Sequence, residues 1–412
     1  MTCEIIVMNR HAVALAADSA VTLSRWVNNQ EEKRYFKGVN KVFQISNHQP
    51  VAMMVYGSGE LQQAPWELLA KEYRTHLEDR SFSSLKEYAE DLFAFLKNAK
   101  DIFPDEYIIE VFQEDCIKAA LSFFFTVLSK EDGFQGASTD EDRITFGSNF
   151  LDQIITNLDS QPLLQGFEEQ DFEHGLRDYT ANIKQKIDGF NFPVDGQKLA
   201  IFAIKAIFKR QYRMGESGVV IAGFGAKEHF PSFYQFTCYG RILGKLAFKD
   251  EDSVQINYSN HSSINGFATT QMLDTFLFGI SPASFEDAAI GCAESLRTFA
   301  QKVGQDSRAD LDALIDEETG IFRKKLISRS GDQNHAPLQR IVAALPVDEM
   351  ANLAETLVSL ESLKEKVTRP TESVGGPIDV AIITRGEGLV WIKRKHYFDP
   401  ALNPRYFNRQ GK

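Results

Sequence analysis

The chain of 412 residues is long enough for two or more domains or for one core domain with large insertions, and its composition, 43% hydrophobic and 25% charged, is ordinary for a folded protein. Its net charge of -12 argues against a nucleic-acid-binding surface, because phosphate contacts need concentrated Lys and Arg. The four cysteines form no CxxC pair and the eight histidines form no HExxH pair, so we expect no disulfide framework, no metal centre and no cofactor.

The sequence also bears on the compartment. Cysteine usage of this kind fits a reducing environment. Asn9, Arg10 and His11 interrupt the first apolar residues too early for a signal peptide, and no apolar run approaches the ~20 residues needed to span a bilayer. The sequence therefore predicts a cytoplasmic protein with neither a membrane nor a nucleic acid as its partner.

The first segment is predicted to be rich in β-structure. Residues 3–7 show the alternating pattern of a β-strand, and residues 9–11 are predicted to form a turn. Residues 12–17 form an apolar run that ends at Asp18. Together these features predict a hairpin with a buried second strand. Further strands are predicted over 39–45 and 50–56, a helix over 60–76, and an exposed loop over 24–38. The hairpin would hold the first residues in a sheet, whereas most domains leave them loose.

The rest of the chain changes between helical and β-rich segments. Residues 78–194 have helical periodicity and many Phe residues, which we interpret as the core of a helical insertion. The later predicted elements are a helix over 197–212, strands over SGVVIAGFG, SFYQFTCYGRI and ILGKLAFKD, helices over 267–278 and 284–301, mostly helical chain over 304–370 with a polar break at ISRSGDQNHAP, and strands over 378–384 and 389–393. Such blocks predict α+β layers rather than a βαβ winding.

A small hydroxyl residue, Thr2, stands directly behind the initiator Met. Initiator Met is normally removed when the second residue is this small, so we expect Thr2 to become the N-terminal residue. A free N-terminal Thr carries a hydroxyl and an α-amine with a pKa of about 8, and the amine can take the hydroxyl proton during attack on a carbonyl. The adjacent Cys3 would face the opposite side of the strand and is not expected to be the nucleophile.

Three further parts would complete such a site. A lysine lowers the pKa of the amine and the hydroxyl, a carboxylate holds that lysine, and a backbone N–H faces the developing oxyanion. Asp18 ends strand two, Lys41 begins strand three and Gly57 ends strand four, so each candidate lies at a strand end. Each also has an ordinary structural interpretation, as a turn residue, a solvated charge and a strand-to-helix turn respectively.

These stretches resemble the opening of the proteasome β-subunit and of its bacterial relative that forms a two-ring peptidase. The family pattern is an N-terminal Thr, an Asp sixteen residues later in an A-x-D-S/G-x-x-T stretch, and a Lys at the head of strand three. Thr2 and Asp18 have that separation, whereas Lys41 stands later than usual because the loop over 24–38 is longer. The resemblance continues in SGVVIAGFG with FYQFTCYGRI, in NGFATTQMLDTFLFGISPASFEDAAIGCAESL and in VGGPIDVAIITRGEGLVWI.

The resemblance implies the four-layer αββα sandwich of the N-terminal nucleophile (Ntn) hydrolases, which is an α+β fold, here with two helical insertions. The expected divisions are core segments over 1–77, 195–304 and 373–412 and insertions over 78–194 and 305–372. By resemblance, Thr2 is the nucleophile, its amine the base, Asp18 and Lys41 the supporting pair, and the Gly57 N–H the oxyanion donor.

The chain departs from the family near the amine. The family places an Asp and a Ser just before the closing Gly-Gly pair, where this chain has Glu372 and Ser373, which substitute only if the register shifts by one. Another family Ser lies before the central strand, where this chain has Glu216 and Ser217. The sequence leaves open which of these two, if either, takes that role, so Ser217, Glu372 and Ser373 are supporting candidates.

The predicted function is a threonine-type peptidase that hydrolyses peptide bonds through an acyl ester on Thr2 after Met1 is removed. By resemblance we expect a homo-oligomer, peptide or unfolded-protein substrates, and an unfoldase or other protein partner. Two alternatives stay open. One is a catalytically inactive assembly subunit, and the other is an Ntn acylase that acts on small amides.

Overall fold

The computed structural model describes residues 2–27, 30–209, 215–305, 308, 310–368 and 374–410, and the structural statements concern these residues. The strands are β1 (Cys3–Asn9), β2 (Ala12–Ala17), β3 (Ala20–Val27), β4 (Gln30–Lys37), β5 (Val42–Gln44), β6 (Val51–Gly57), β7 (Glu60–Leu61), β8 (Ala64–Pro65), β9 (Ser217–Gly223), β10 (Ser232–Ile242), β11 (Lys245–Gln255), β12 (Ser262–Ala268), β13 (Asp379–Thr384) and β14 (Gly388–Lys393).

The helices are α1 (Trp66–Leu77), α2 (Leu85–Asn98), α3 (Asp105–Thr126), α4 (Asp132–Gln135), α5 (Asp140–Asp159), α6 (Glu169–Asp188), α7 (Gly196–Phe208), α8 (Gln271–Phe278), α9 (Pro282–Lys302), α10 (Leu311–Ser330), α11 (Ala336–Val342), α12 (Val347–Thr368) and α13 (Pro404–Gln410). None of the described helices combines the length and the apolar character that crossing a membrane requires.

Two five-stranded antiparallel sheets form the centre of the molecule. Their strand orders are β12-β1-β2-β13-β14 and β11-β10-β9-β6-β5. Inward-pointing residues of both sheets share one apolar cluster, with Ile6 and Leu15 from the first sheet and Met54 and Val220 from the second. The two sheets therefore pack face to face, and β1 and β2 are buried along their whole length.

Helices lie against the outer face of each sheet. Cys3, Ile5 and Val7, on the outer face of β1, share a cluster with residues of α8, α11 and α12. On the second sheet, Met53 and Ile221 share a cluster with residues of α1, α2 and α3. The result is a mixed α+β fold with antiparallel sheets, as the sequence predicted.

The helical segment between β8 and β9 has a core of its own. Buried Phe residues of α3, α6 and α7 pack together, and Ile242 and Ala247 of the second sheet join them. The prediction that the Phe residues of this segment form a core is therefore confirmed. The boundaries predicted for the insertions stay a prediction, and two helices within them, α2 and α12, contact the sheets directly.

Several predicted elements are wrong in their extent. The residues predicted as a loop over 24–38 largely belong to β3 and β4, which form a two-stranded ribbon. The helix predicted from Glu60 begins at Trp66, because the small hairpin β7–β8 precedes it. The helix predicted from Phe267 begins at Gln271, because β12 pairs with β1.

The predicted polar break ISRSGDQNHAP is also wrong. The chain continues from α10 into α11 through a π-helical turn over Gly331–His335. The Asn334 side chain in this turn donates a hydrogen bond to the Phe278 carbonyl at 3.1 Å. That carbonyl is at the end of α8, so the polar residues of the break bind a neighbouring helix end instead of ending their own helix.

Candidate active site

The start of β1 is held on both sides. β1 pairs with β12 and β2, and Cys3 lies opposite Ala268. The Thr2 carbonyl accepts a hydrogen bond from the Thr269 N–H at 3.0 Å. The prediction that the first residues are fixed in a sheet is confirmed, and the side chain of Thr2 lies in the wall of a pocket with 6% of its surface exposed.

Asp18, directly after β2, has donors on both of its carboxylate oxygens. Its Oδ1 accepts hydrogen bonds from the Cys3 N–H at 3.1 Å and from the Lys41 ammonium. Its Oδ2 accepts from the Ala20 N–H at 3.1 Å and from the Gly375 N–H at 2.8 Å. Asp18 therefore ties the start of β1 to the lysine and to the chain that leads into β13.

Lys41 lies directly before β5 and is 5% exposed. Its ammonium pairs with Asp18 and lies 3.6 Å from Oε1 of Glu4. No hydrogen bond between described residues joins this ammonium directly to the Thr2 hydroxyl. The structure brings the predicted pair Asp18–Lys41 together, and Glu4 connects the pair to Thr2.

Glu4 is a site residue that the sequence interpretation missed. It is fully buried, and its Oε2 accepts a hydrogen bond from Thr2 Oγ1 at 3.2 Å. The side chains of residues two apart in a strand point to the same face, so Glu4 shares the inward face of β1 with Thr2. The missed signal was a single charged residue in an otherwise apolar strand, two residues after the hydroxyl.

Burial raises the pKa of Glu4 from 4.5 to about 8. Removal of the carboxylate from water is the main cause, because it disfavours the charged form. The Lys41 ammonium acts in the opposite direction, and the neighbouring Asp18 carboxylate adds to the increase. One cation thus faces two buried carboxylates, and Glu4 keeps its proton to a higher pH than an exposed glutamate does.

The pocket beside Thr2 has a volume of about 110 Å³. Thr2, Lys41 and Gly57 all line it, so the structure brings the predicted oxyanion donor to the same pocket as the predicted nucleophile. Gly57 adopts a positive φ of 76°, which glycine accepts without steric strain. Much of the remaining wall is apolar and comes from Val21, Val39, Phe43, Val55, Pro65 and Trp66.

Ser217 supports the turn that follows Gly57. It lies opposite Gly57 in the pairing of β6 with β9, and its hydroxyl donates to the carbonyls of Ser58 at 3.0 Å and Glu60 at 3.2 Å. The described residues show no hydrogen bond from this hydroxyl to Thr2. Ser217 is therefore placed to hold the pocket wall, and its role beside the amine stays a prediction.

The closing Gly-Gly pair reaches the site through its backbone. The Gly375 N–H binds Asp18, and the Gly375 carbonyl accepts from the Ser19 N–H at 3.1 Å. The two supporting candidates that precede this pair, Glu372 and Ser373, lie outside the described residues.

Cys3 faces away from the pocket, as predicted. Its side chain belongs to the apolar cluster between the first sheet and α12. Burial raises the pKa of the Cys3 thiol far above its usual range, so the thiolate does not form at neutral pH. The hydroxyl of Thr2 is thus the nucleophile candidate at the start of the chain.

No model of a known protein family and no curated protein matches this chain. Within the described residues, no group of three or more His, Cys, Asp or Glu side chains could hold a metal ion. The groups that the site offers for chemistry are a hydroxyl, two carboxylates, an ammonium and backbone N–H groups.

Proposed function

We propose that the chain is a threonine-type N-terminal nucleophile hydrolase that cleaves amide bonds, with peptides or unfolded protein as its substrates. One observation carries the proposal: the Thr2 hydroxyl, at the start of a central strand, binds a buried carboxylate that also neighbours Lys41. A threonine hydroxyl becomes an effective nucleophile only beside a proton acceptor and a stabilising charge. In the proposed reaction the α-amine of Thr2 is the acceptor and the Lys41 ammonium supplies the charge.

The arrangement of the sheets supports the proposal. The two central sheets pack on each other, and helices lie against their outer faces. We assign this arrangement to the αββα sandwich of the Ntn hydrolases, with α12 and α8 over one sheet and α1 and α2 over the other. In that sandwich the nucleophile begins a central strand, which is the place of Thr2 here.

The proposed reaction begins with removal of Met1 and of any residue before it. Thr2 Oγ1 then attacks the substrate carbonyl carbon while the Thr2 α-amine takes the hydroxyl proton, and the Gly57 N–H stabilises the oxyanion of the tetrahedral intermediate. Asp18 holds the Lys41 side chain beside the reacting groups. When the intermediate collapses, the C–N bond breaks and the α-amine passes its proton to the leaving nitrogen. The ester that is left on Thr2 is then hydrolysed by water.

The pocket supports a choice of substrate. Its apolar walls and its volume of about 110 Å³ suit one small apolar side chain next to the bond that is cleaved. The same small volume favours a second candidate, an Ntn acylase that acts on simple amides. We also propose, from the resemblance, that the protein is a homo-oligomer and that an unfoldase or another protein delivers its substrates.

The first experiment traps the nucleophile. The purified full chain is treated with an electrophile that reacts with an N-terminal hydroxyl residue, and the labelled residue is mapped by mass spectrometry of its peptides. We expect an ester on Thr2, its loss in Thr2→Ala, and retention in Thr2→Ser. Thr75→Ala is the matched control, because Thr75 is an exposed threonine whose hydroxyl binds the Lys71 carbonyl in α1.

Substrate panels then separate the candidates. Fluorogenic peptides with small apolar residues before the reporter should be cleaved by the wild type and not by Thr2→Ala. Hydrolysis of simple acyl amides without cleavage of any peptide would favour the acylase. Intact mass with Met1 retained on every chain, together with no labelling of Thr2, would contradict the proposal and favour an inactive assembly subunit.

A further inference from the structure

The Glu4 carboxyl group contacts the nucleophile, although the reaction through the α-amine gives it no proton to carry. Its Oε2 is 3.2 Å from Thr2 Oγ1, which is within hydrogen-bond distance. Its Oε1 accepts no hydrogen bond among the described residues and has the Lys41 ammonium at 3.6 Å. Glu4 therefore binds the hydroxyl with one oxygen, and its second oxygen can still accept a hydrogen bond.

A purely structural role does not account for Glu4. Lys41 already has a carboxylate partner in Asp18, whose two oxygens accept four hydrogen bonds. A second buried carboxylate reduces stability, because it is removed from water and has to share the single Lys41 ammonium with Asp18. Ile6 and Met8, which continue the same inward face of β1, are apolar and are buried without such a cost.

We propose that Glu4 is a catalytic residue that takes the proton of the Thr2 hydroxyl during attack on the substrate. The inference rests on the proposed hydrolase function and refines it. It assigns the proton to a side chain on the same face of the same strand, instead of to the α-amine. The geometry meets the first requirement for a general base, which is hydrogen-bond contact with the proton that it removes.

Atoms and electrons balance through the reaction. The Oγ1–H bond of Thr2 breaks, its proton goes to the Glu4 carboxylate, and Oγ1 forms a bond to the carbonyl carbon while the C=O electron pair moves to oxygen. When that pair returns, the C–N bond breaks and the Glu4 carboxylic acid gives its proton to the leaving nitrogen. Glu4 then takes a proton from the attacking water and returns it to Oγ1 when the ester bond breaks.

The charged and titratable groups that face Glu4 are Lys41 before β5, Asp18 after β2 and Tyr56 on β6, with Cys3 next to it on the other side of β1. Burial is the main cause of a pKa of about 8 for Glu4; the Asp18 carboxylate raises this pKa further, whereas the Lys41 ammonium and the Thr2 hydroxyl lower it. An ammonium at Thr2 would lower the pKa, because a nearby positive charge favours the carboxylate. We therefore expect the reactivity of Thr2 to rise with pH, with its midpoint at or below about 8.

The test measures how fast a β-lactone forms an ester on Thr2, as a function of pH, in the full chain. Glu4→Gln keeps the size and removes the base, and we expect labelling to slow by about 100-fold or more, in line with the usual contribution of a general base. The pH dependence seen in the wild type should disappear. Glu361→Gln is the matched control, since Glu361 is also buried but lies on α12 and binds the Met272 N–H.

A second variant covers the case in which Glu4→Gln does not fold. Glu4→Asp keeps the charge beside Lys41 and draws the carboxylate back from Thr2 by one methylene. We expect slower labelling per folded molecule, with thermal unfolding used to count the folded fraction. If either folded variant labels Thr2 at the wild-type rate with the wild-type midpoint, the inference is overturned and the proton goes to another group.

The two proposals fail in different ways. Peptide and amide hydrolysis that persists in Thr2→Ala overturns the hydrolase function itself. Loss of activity in Thr2→Ala with full activity in Glu4→Gln overturns only the role of Glu4. Loss in both variants, with normal activity in Glu361→Gln, supports both proposals.

Discussion

The cluster at the start of β1 holds one buried ammonium and two buried carboxylates, so its behaviour depends on single residues. Lys41 is the only cation that the described contacts place on Asp18 and Glu4. Lys41→Met should lower the free energy of unfolding by about 3–5 kcal/mol, because it leaves buried carboxylates without a cation to pair with. Urea unfolding followed by circular dichroism would measure this loss.

The matched control for Lys41→Met is Lys100→Met, which removes an exposed lysine from a surface pair with Asp105. Its effect on the free energy of unfolding should be far smaller, because water already screens that pair. Equal losses in the two variants would show that the Lys41 cluster is not buried in solution.

A second prediction at the scale of single residues concerns Glu4 and the dependence of the unfolding free energy on pH. Its pKa is about 8 in the folded state, against 4.5 for a glutamate that is exposed to water, so between these values the folded state binds more protons than the unfolded chain. The unfolding free energy should therefore fall as pH rises from about 4.5 to about 8, by an amount on the order of a few kcal/mol.

Denaturant unfolding at several pH values in this window would measure the slope. Glu4→Gln removes the titrating group, so its unfolding free energy should fall less steeply than that of the wild type. Identical slopes in the two proteins would contradict the raised pKa of Glu4.

At the scale of elements, the end of β6 depends on one glycine. Gly57 has a φ of 76°, and a Cβ there would lie 2.7 Å from the Glu216 carbonyl oxygen. Gly57→Ala should destabilise the protein by about 1–2 kcal/mol from the left-handed backbone alone, and the contact with Glu216 adds to this loss. The resulting shift of the pocket wall should also slow labelling of Thr2.

Gly59 supplies the comparison, because it is two residues away and has open space around its Cβ position. We expect Gly59→Ala to unfold at nearly the wild-type temperature, as measured by thermal denaturation. If Gly57→Ala proved as stable as Gly59→Ala, the backbone of Gly57 in solution would differ from that described.

The same elements explain which parts of the fold the sequence could predict. The hairpin of β1 and β2 was predictable because an apolar run between polar residues is a local signal. β12 was not, because its strand structure depends on pairing with β1, more than 250 residues earlier in the chain. The hairpin β7–β8 depends on positive φ angles at Gln62 and Gln63, which sequence propensity disfavours.

Tertiary contacts compensate for that backbone at Gln62. Its side chain donates to the Arg241 carbonyl at 2.8 Å and accepts from the Arg241 N–H at 2.8 Å. The candidate site was likewise predictable only in part. The spacing of Thr2 and Asp18 indicated that they share one end of the hairpin. The contact between Glu4 and Thr2 became visible only when the inward face of β1 was known.

At the scale of the whole molecule, the two central sheets and the outer helices should differ in local stability. β1 is buried at every residue and paired on both sides, so its amides are exposed only when much of the protein unfolds. The α9 helix has only Ala289 and Ala300 buried within its 21 residues, and it should open locally at much lower free energy.

Hydrogen exchange followed by mass spectrometry would test this difference. Peptides from β1 should exchange as slowly as those from β9, which is equally buried in the second sheet, and far more slowly than those from α9. Slow amide exchange in β1 is expected if a nucleophile lies at its start, because catalysis depends on holding the reacting groups in a fixed geometry. Exchange in β1 as fast as in α9 would mean that Thr2 is not held in place, and the proposed site would lose its physical basis.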